Sequence, residues 1–198
     1  MAKTLHQLIL ASQSPRRKQL LSQLGLSFHV KPADIDEDIP FDNPKDLVCE
    51  LALLKAQAIY KNSSQDAVVI GSDTIVAIEN EVLGKPSDKD EAESFLKKLS
   101  GNTHSVMSAV AILSQGIEET FYVETLVKFK NLTAKDITIY LDFNEYSDKA
   151  GAYGIQGAAS ALVTSIKGSY SNVVGLPQVE LVEKFEELFG KDWRSYFV

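Results

Sequence analysis

Leu8-Ile9-Leu10-Ala11-Ser12-Gln13-Ser14-Pro15-Arg16-Arg17, continuing through Leu20, Leu21 and Leu24 to Gly25, decides how this chain begins to fold. The apolar run Leu8 to Ala11 reads as a buried strand, and the residues after Ser14 read as a helix. Ser14 suits the N-cap, Pro15 the first helical position and Gly25 the stop. Arg16 and Arg17 then fall in the first turn, where backbone N–H groups are unpaired and the helix dipole is positive. A cation there costs about 0.3–1 kcal/mol. The placement makes sense if an anion normally occupies that helix end, because guanidiniums beside unpaired N–H groups form a phosphate clamp.

Working outward, Ser27 to Lys31 is strand-like and leads into an acidic stretch, Asp34 to Asp38. Asn43 as N-cap and Pro44 at the first position open a helix to about Tyr60. Ala67 to Ile78 is a buried strand pattern interrupted by Gly71-Ser72-Asp73-Thr74, with a hairpin tip at Asn80-Glu81. Ser87 and Asp90 suggest a capping-box start for a helix through Phe95 and Leu99, closed by Gly101. Residues 104–113 and 119–130 read as a long hairpin around Ser114-Gln115-Gly116. A helix is expected over Ala134–Phe143, strands near 160–167 and 170–174, and a last helix from Pro177 to about Gly190. Interleaved strands and helices with hairpins among them predict a mixed-sheet α/β fold. No repeat, linker or low-complexity segment divides the 198 residues, which read as a single domain.

Bulk composition bounds the function. The net charge of −7 argues against a general nucleic-acid coat, so a polyphosphate would have to be met by a local basic pocket. Cys49 is the only cysteine, and His6, His29 and His104 show no ligand spacing, which argues against zinc. The N-terminal apolar run is too short for a signal peptide or membrane span, so a cytosolic protein is expected.

Asp73 is the strongest catalytic candidate. It comes after the buried Val68-Val69-Ile70, with Gly71 removing bulk just before it, and should emerge at the strand's C-terminal end, where ligands bind in open α/β sheets. The competing role is an Asp capping a turn beside Thr74. Lys55 falls at the margin of the apolar face set by Leu47, Leu51, Leu54 and Ala58, either snorkelling to water or pointing into a cleft. Lys85, in Leu83-Gly84-Lys85-Pro86, is a second candidate for holding phosphate. Without a Cys or His cluster, any metal must take oxygen ligands, which means Mg²⁺ or Mn²⁺, and Glu37 or Asp36 with Asp73 would supply them. Asp148 to Gly157 offers three glycines, Tyr153 and the amide of Gln156, and Gly168 to Asn172 is a weaker loop of that type. His104 reads as a strand histidine with its hydrogen bonds met, and Cys49 as an ordinary helix residue.

Ser12 to Arg17 with Leu20-Leu21, Gly71-Ser72-Asp73-Thr74, Gly84-Lys85-Pro86, Leu99-Ser100-Gly101 with His104, Asp148 to Gly157 and Asn172 to Pro177 together resemble the boxes of the Maf family, also called septum formation inhibitor Maf. The boxes span almost the whole chain in order; Ser72 departs from them, where the family more often has alanine. The resemblance implies an elongated α/β fold related to the inosine triphosphate pyrophosphatases, with a cleft between two lobes. It also implies a divalent metal, usually a homodimer, and cleavage of a nucleoside triphosphate to the monophosphate and pyrophosphate. By the same resemblance Asp73 takes the proton of the attacking water, and Arg16, Thr74 and Gln156 set substrate specificity. Glu37, Lys55 and Lys85 handle metal and phosphates. The loop around Gln156 resembles the branch acting on dTTP and UTP; the alternatives are the branch acting on 7-methyl-GTP and a nucleotide-binding regulator of cell division without turnover.

Overall fold

A computed structural model describes residues 6–197. Its sheet has seven strands, ordered β2-β1-β3-β5-β6-β7 with β4 paired to β3: β1 (Leu8–Ala11), β2 (His29–Val30), β3 (Val68–Ile78), β4 (Glu81–Leu83), β5 (Thr103–Ser114), β6 (Ile117–Phe129) and β7 (Val163–Lys167). β1 runs parallel to β2 and β3, while β3–β4 and β6–β7 are antiparallel, so the sheet is mixed as expected. The helices are α1 (Pro15–Gln23), α2 (Pro44–Tyr60), α3 (Lys89–Leu99), α4 (Ala134–Asp142), α5 (Tyr170–Val174) and α6 (Gln178–Phe189).

Local chemistry accounts for most of the boundaries. The Ser14 side chain accepts from the Arg17 N–H, and Asn43 does the same for Asp46, each ahead of a proline in the first turn. Every residue of β1 is buried, as a strand flanked by parallel neighbours requires. The hairpin from β3 to β4 turns on Glu79 and Asn80, at φ of 51° and 67°, with Ile78 facing Glu81. Two left-handed residues in a two-residue turn match the twist of the flanking strands.

Four expectations need correction. β3 runs through Gly71 to Thr74 without interruption, so Asp73 lies inside the strand and not at its C-terminal end. The N-cap of α3 is Asp88, whose carboxylate accepts from the Glu91 N–H, while Glu91 reaches back to the Ser87 N–H. Residues 170–174 form the helix α5; the β-branched Val173-Val174 suggested a strand, but the Ser169 hydroxyl accepts from the Asn172 N–H and starts a helical turn. The strand expected near 160 begins only at Val163, after a short 3₁₀ turn over Ala158–Leu162.

The contacts gather into two units. One comprises residues up to Asp73, Ser108–Val123 and the chain from Gly175 onward. Its interior includes β1, Leu21, Val48, Ala52, Ala56, Phe185 and Trp193. The other comprises Thr74–Met107 and Glu124–Val174. Its core packs Val76, Leu83, Leu96, Leu99, Phe129, Tyr140 and Tyr153.

Candidate active site

The site in the first unit is built on Gly71. β1 ends with Ala11 opposite Gly71, so β3 continues past its neighbour and Asp73 stands beyond β1's last residue. Side chains two apart on a strand share a face, which puts Asp73 on the face of Gly71. A Cβ on Gly71 would lie 2.2 Å from the Ala52 carbonyl oxygen and 2.6 Å from the Ala56 nitrogen. Those two atoms are partners in one helical hydrogen bond of α2. Only a residue without a side chain lets the helix backbone come this close to the strand.

The close approach delivers Lys55, the residue before Ala56, to Asp73. The Lys55 ammonium donates to Asp73 Oδ1 at 2.6 Å and lies 2.7 Å from Glu37 Oε1. Lys55 is only 7% and Asp73 8% exposed, whereas the Glu37 side chain remains 48% accessible. Lys55 does not snorkel to water but turns inward, where its ammonium is paired with carboxylates, since an ammonium and a carboxylate are tolerated in the interior only together.

Arg17 closes the group from α1. Its Nη2 is 3.9 Å from Asp73 Oδ1, its Nε donates to the Gly175 carbonyl at 3.0 Å, and its Nη1 donates to the Ser12 hydroxyl at 3.3 Å. Ser12 also accepts from the Ser14 N–H, bracing the turn between β1 and α1. Burial pushes the Arg17 guanidinium below its ordinary value and Asp73 pulls it back up; the nearby charge of Arg16 adds to the lowering. Arg16 is half-buried in the same helical turn.

The remaining sequence candidates lie in the second unit. Thr74 comes directly after Asp73 on β3, half-buried. Lys85 and Gln156 are exposed on loops that the Gly151 N–H joins by donating to the Gly84 carbonyl at 3.0 Å. His104 differs from expectation: its Nε2 pairs with the Tyr153 hydroxyl at 2.7 Å, but Nδ1 is buried with no partner among the described residues.

Among the described residues, no three His, Cys, Asp or Glu side chains gather into a metal cage. Mg²⁺ asks less than that, since it keeps several waters and is held by one or two carboxylates with substrate phosphates. Glu37 and Asp73 suit it: both already turn an oxygen to one cation, the Lys55 ammonium.

Sequence reasoning gave Arg17 a share in the clamp but assigned the site role to Arg16 alone. Adjacent arginines carry no signal for which one faces inward. Ser12 and the Gly175 carbonyl were missed as supports, because nothing in the sequence shows that Arg17 returns to residue 12 and reaches residue 175.

The model of the Maf-like proteins matches residues 7–188. The chain belongs to the Maf family. Among similar Maf relatives, the dTTP/UTP pyrophosphatase of Bacillus cereus (strain G9842) is 46% identical over 181 residues, which cover 91% of this chain and 94% of that one. The dTTP/UTP pyrophosphatase of Symbiobacterium thermophilum is 49% identical over 174 residues, covering 87% and 89%. Among solved structures, the Staphylococcus aureus Ham1 protein superposes with a TM-score of 0.51 at 13% identity, over 91% of this chain and 98% of its own, a likeness of fold. Among the described residues, no helix is long and apolar enough to cross a membrane.

Proposed function

We propose that this Maf protein hydrolyses dTTP and UTP to the monophosphate and pyrophosphate. The observation that carries the reading is the buried carboxylate of Asp73, held by Lys55 and faced by Arg17, in a chain nearly half identical to dTTP/UTP pyrophosphatases. Asp73 accepts a proton from a water whose oxygen attacks the α phosphorus; the bond from that phosphorus to the bridging oxygen breaks, and pyrophosphate leaves with its electron pair. Arg16, Arg17, Lys55 and Lys85 hold the polyphosphate. Glu37 and Asp73 would hold a Mg²⁺ or Mn²⁺ ion, which would supply neutralisation of phosphate charge. Thr74 and Gln156 contribute to substrate choice, with the Gln156 amide matching the N3–H donor and carbonyl acceptor of uracil or thymine. The family resemblance further supports a homodimer.

A product assay over dTTP, UTP, CTP and 7-methyl-GTP tests this. Pyrophosphate should be released from dTTP and UTP, and Asp73→Asn should slow release by about 10²–10⁴-fold with the fold intact. EDTA should abolish turnover and Mg²⁺ restore it, without change in circular dichroism. Release of orthophosphate, or faster turnover of 7-methyl-GTP than of UTP, would overturn the assignment.

A further inference from the structure

Gln156 is exposed at the head of a tight turn, where the Gly157 N–H donates back to the Gly154 carbonyl at 3.0 Å. On one side the preceding Ile155 is buried. On the other side stands Glu145, eleven residues earlier in the chain, just after Asn144 at φ 55°. Glu145 Oε2 accepts from the Ala158 N–H at 2.9 Å. A Cβ on Gly157 would fall 1.9 Å from Oε2 and 2.7 Å from the carboxylate carbon. The carboxylate therefore lies directly on the Gly157 backbone, and a glycine is what admits it. Beyond Ala158 the chain is pinned again by the buried Ala159 and by the Ser160 N–H, which donates to the Gly157 carbonyl at 3.0 Å.

A long, rotamer-rich side chain fixed on a loop backbone loses conformational freedom, and a half-buried carboxylate also loses some of its water. Both costs are met at a point two residues beyond the amide proposed to read the base. We infer that Glu145 is a positioning residue for base choice: its carboxylate braces the Gly157–Ala158 backbone and thereby fixes the orientation in which Gln156 is presented. The inference rests on the reading of Gln156 as the base-recognising residue. Hydrogen-bond discrimination depends on donor and acceptor meeting within a few tenths of an ångström, so a turn free to rock loses selectivity before it loses turnover. The role differs from that of Asp73 and Lys55, since Glu145 need not touch substrate.

The test measures KM and kcat for UTP and for CTP in the wild type, Gln156→Ala, Glu145→Ala, Glu145→Gln and Gly157→Ala, with thermal midpoints alongside. Glu145→Ala should lower the UTP-over-CTP ratio of kcat/KM by about tenfold, through KM for UTP, with kcat close to wild type. Glu145→Gln keeps an acceptor oxygen and should restore most of the ratio. Gly157→Ala, which displaces the carboxylate while leaving it in the chain, should reproduce Glu145→Ala and serves if that variant does not fold. If Gln156→Ala abolishes the ratio while Glu145→Ala and Gly157→Ala keep it, the brace is overturned and the Gln156 reading stands. A Glu145→Gln variant as unselective as Glu145→Ala also overturns it. A wild type that does not separate UTP from CTP, or a Gln156→Ala variant that still does, overturns the base-recognition reading and the brace with it.

Discussion

Ser72 is fully enclosed, and its hydroxyl has no hydrogen-bond partner among the described residues. A buried hydroxyl left unpaired costs about 1–3 kcal/mol relative to one that is satisfied. Alanine removes the polar atom and leaves almost no void, so Ser72→Ala should raise stability by about 1 kcal/mol, read as a higher urea midpoint at unchanged slope. A lower midpoint would show that the hydroxyl is satisfied in solution. Its neighbour Asp73 shows how much of a site can be read from residues alone. A carboxylate placed just after three apolar residues and Gly71-Ser72 is conspicuous as letters, and the structure brings Lys55 and Arg17 to it. Lys55 was half legible: helical spacing put it at the apolar margin, but whether its ammonium turned outward depended on a carboxylate eighteen residues away.

Between elements, the decisive distance is that from α2 to β3. A methyl group at residue 71 would press on the hydrogen bond from Ala56 to Ala52, so strand and helix must separate or the helix must deform. Gly71→Ala should therefore destabilise the protein by about 2–3 kcal/mol, in the range of overpacked cores, and reduce turnover more than Ser72→Ala does. Lys55 rides on the part of the helix that moves. Measured stability and kcat near wild type in Gly71→Ala would show that the helix yields freely there. As sequence, this glycine reads as a break in the strand because glycine weakens strands. Its use, a close approach to another element, is a property of two segments and cannot be seen in one. Caps and hairpin tips, by contrast, are decided within a few residues, which is why Ser14, Asn43 and the turn near Asn80 were legible. Residues 170–174 misled for the same reason in reverse: β-branched propensity is local, and the hydroxyl cap of Ser169 prevailed over it.

At the scale of the whole molecule, stability should depend on His104. Burial lowers its pKa from 6.5 to about 4, and the ring packs edge-on against Phe129 and Tyr153. The folded form thus binds its proton later than the unfolded chain as pH falls. Below pH 6.5 the unfolded state takes up the proton first, so stability declines through the window from 6.5 to about 4, by about 3 kcal/mol in total. Urea midpoints at pH 7 and pH 4.5 measure this; in His104→Phe, which has no proton to bind, the decline over that window should be shallower. An equal decline in both proteins would place the titrating group elsewhere. The mixed α/β class was legible from the order of strands and helices. Which residues gather into each of the two units was not, because that depends on long-range pairings that leave no mark on a continuous sequence.

Arg17 and Lys55 face Asp73, and Lys55 also faces Glu37, so these two positive side chains stand against two negative ones, with Arg16 adding positive charge from the same helical turn. The cluster is only slightly positive, within a chain of net charge −7. For an incoming polyanion, the protein therefore exerts little pull at a distance and some repulsion. Capture depends on contacts made within a few ångströms, after the ligand has arrived by diffusion. The pace of encounter is then set by orientation more than by attraction, and added salt, which screens repulsion as well as attraction, should not slow it.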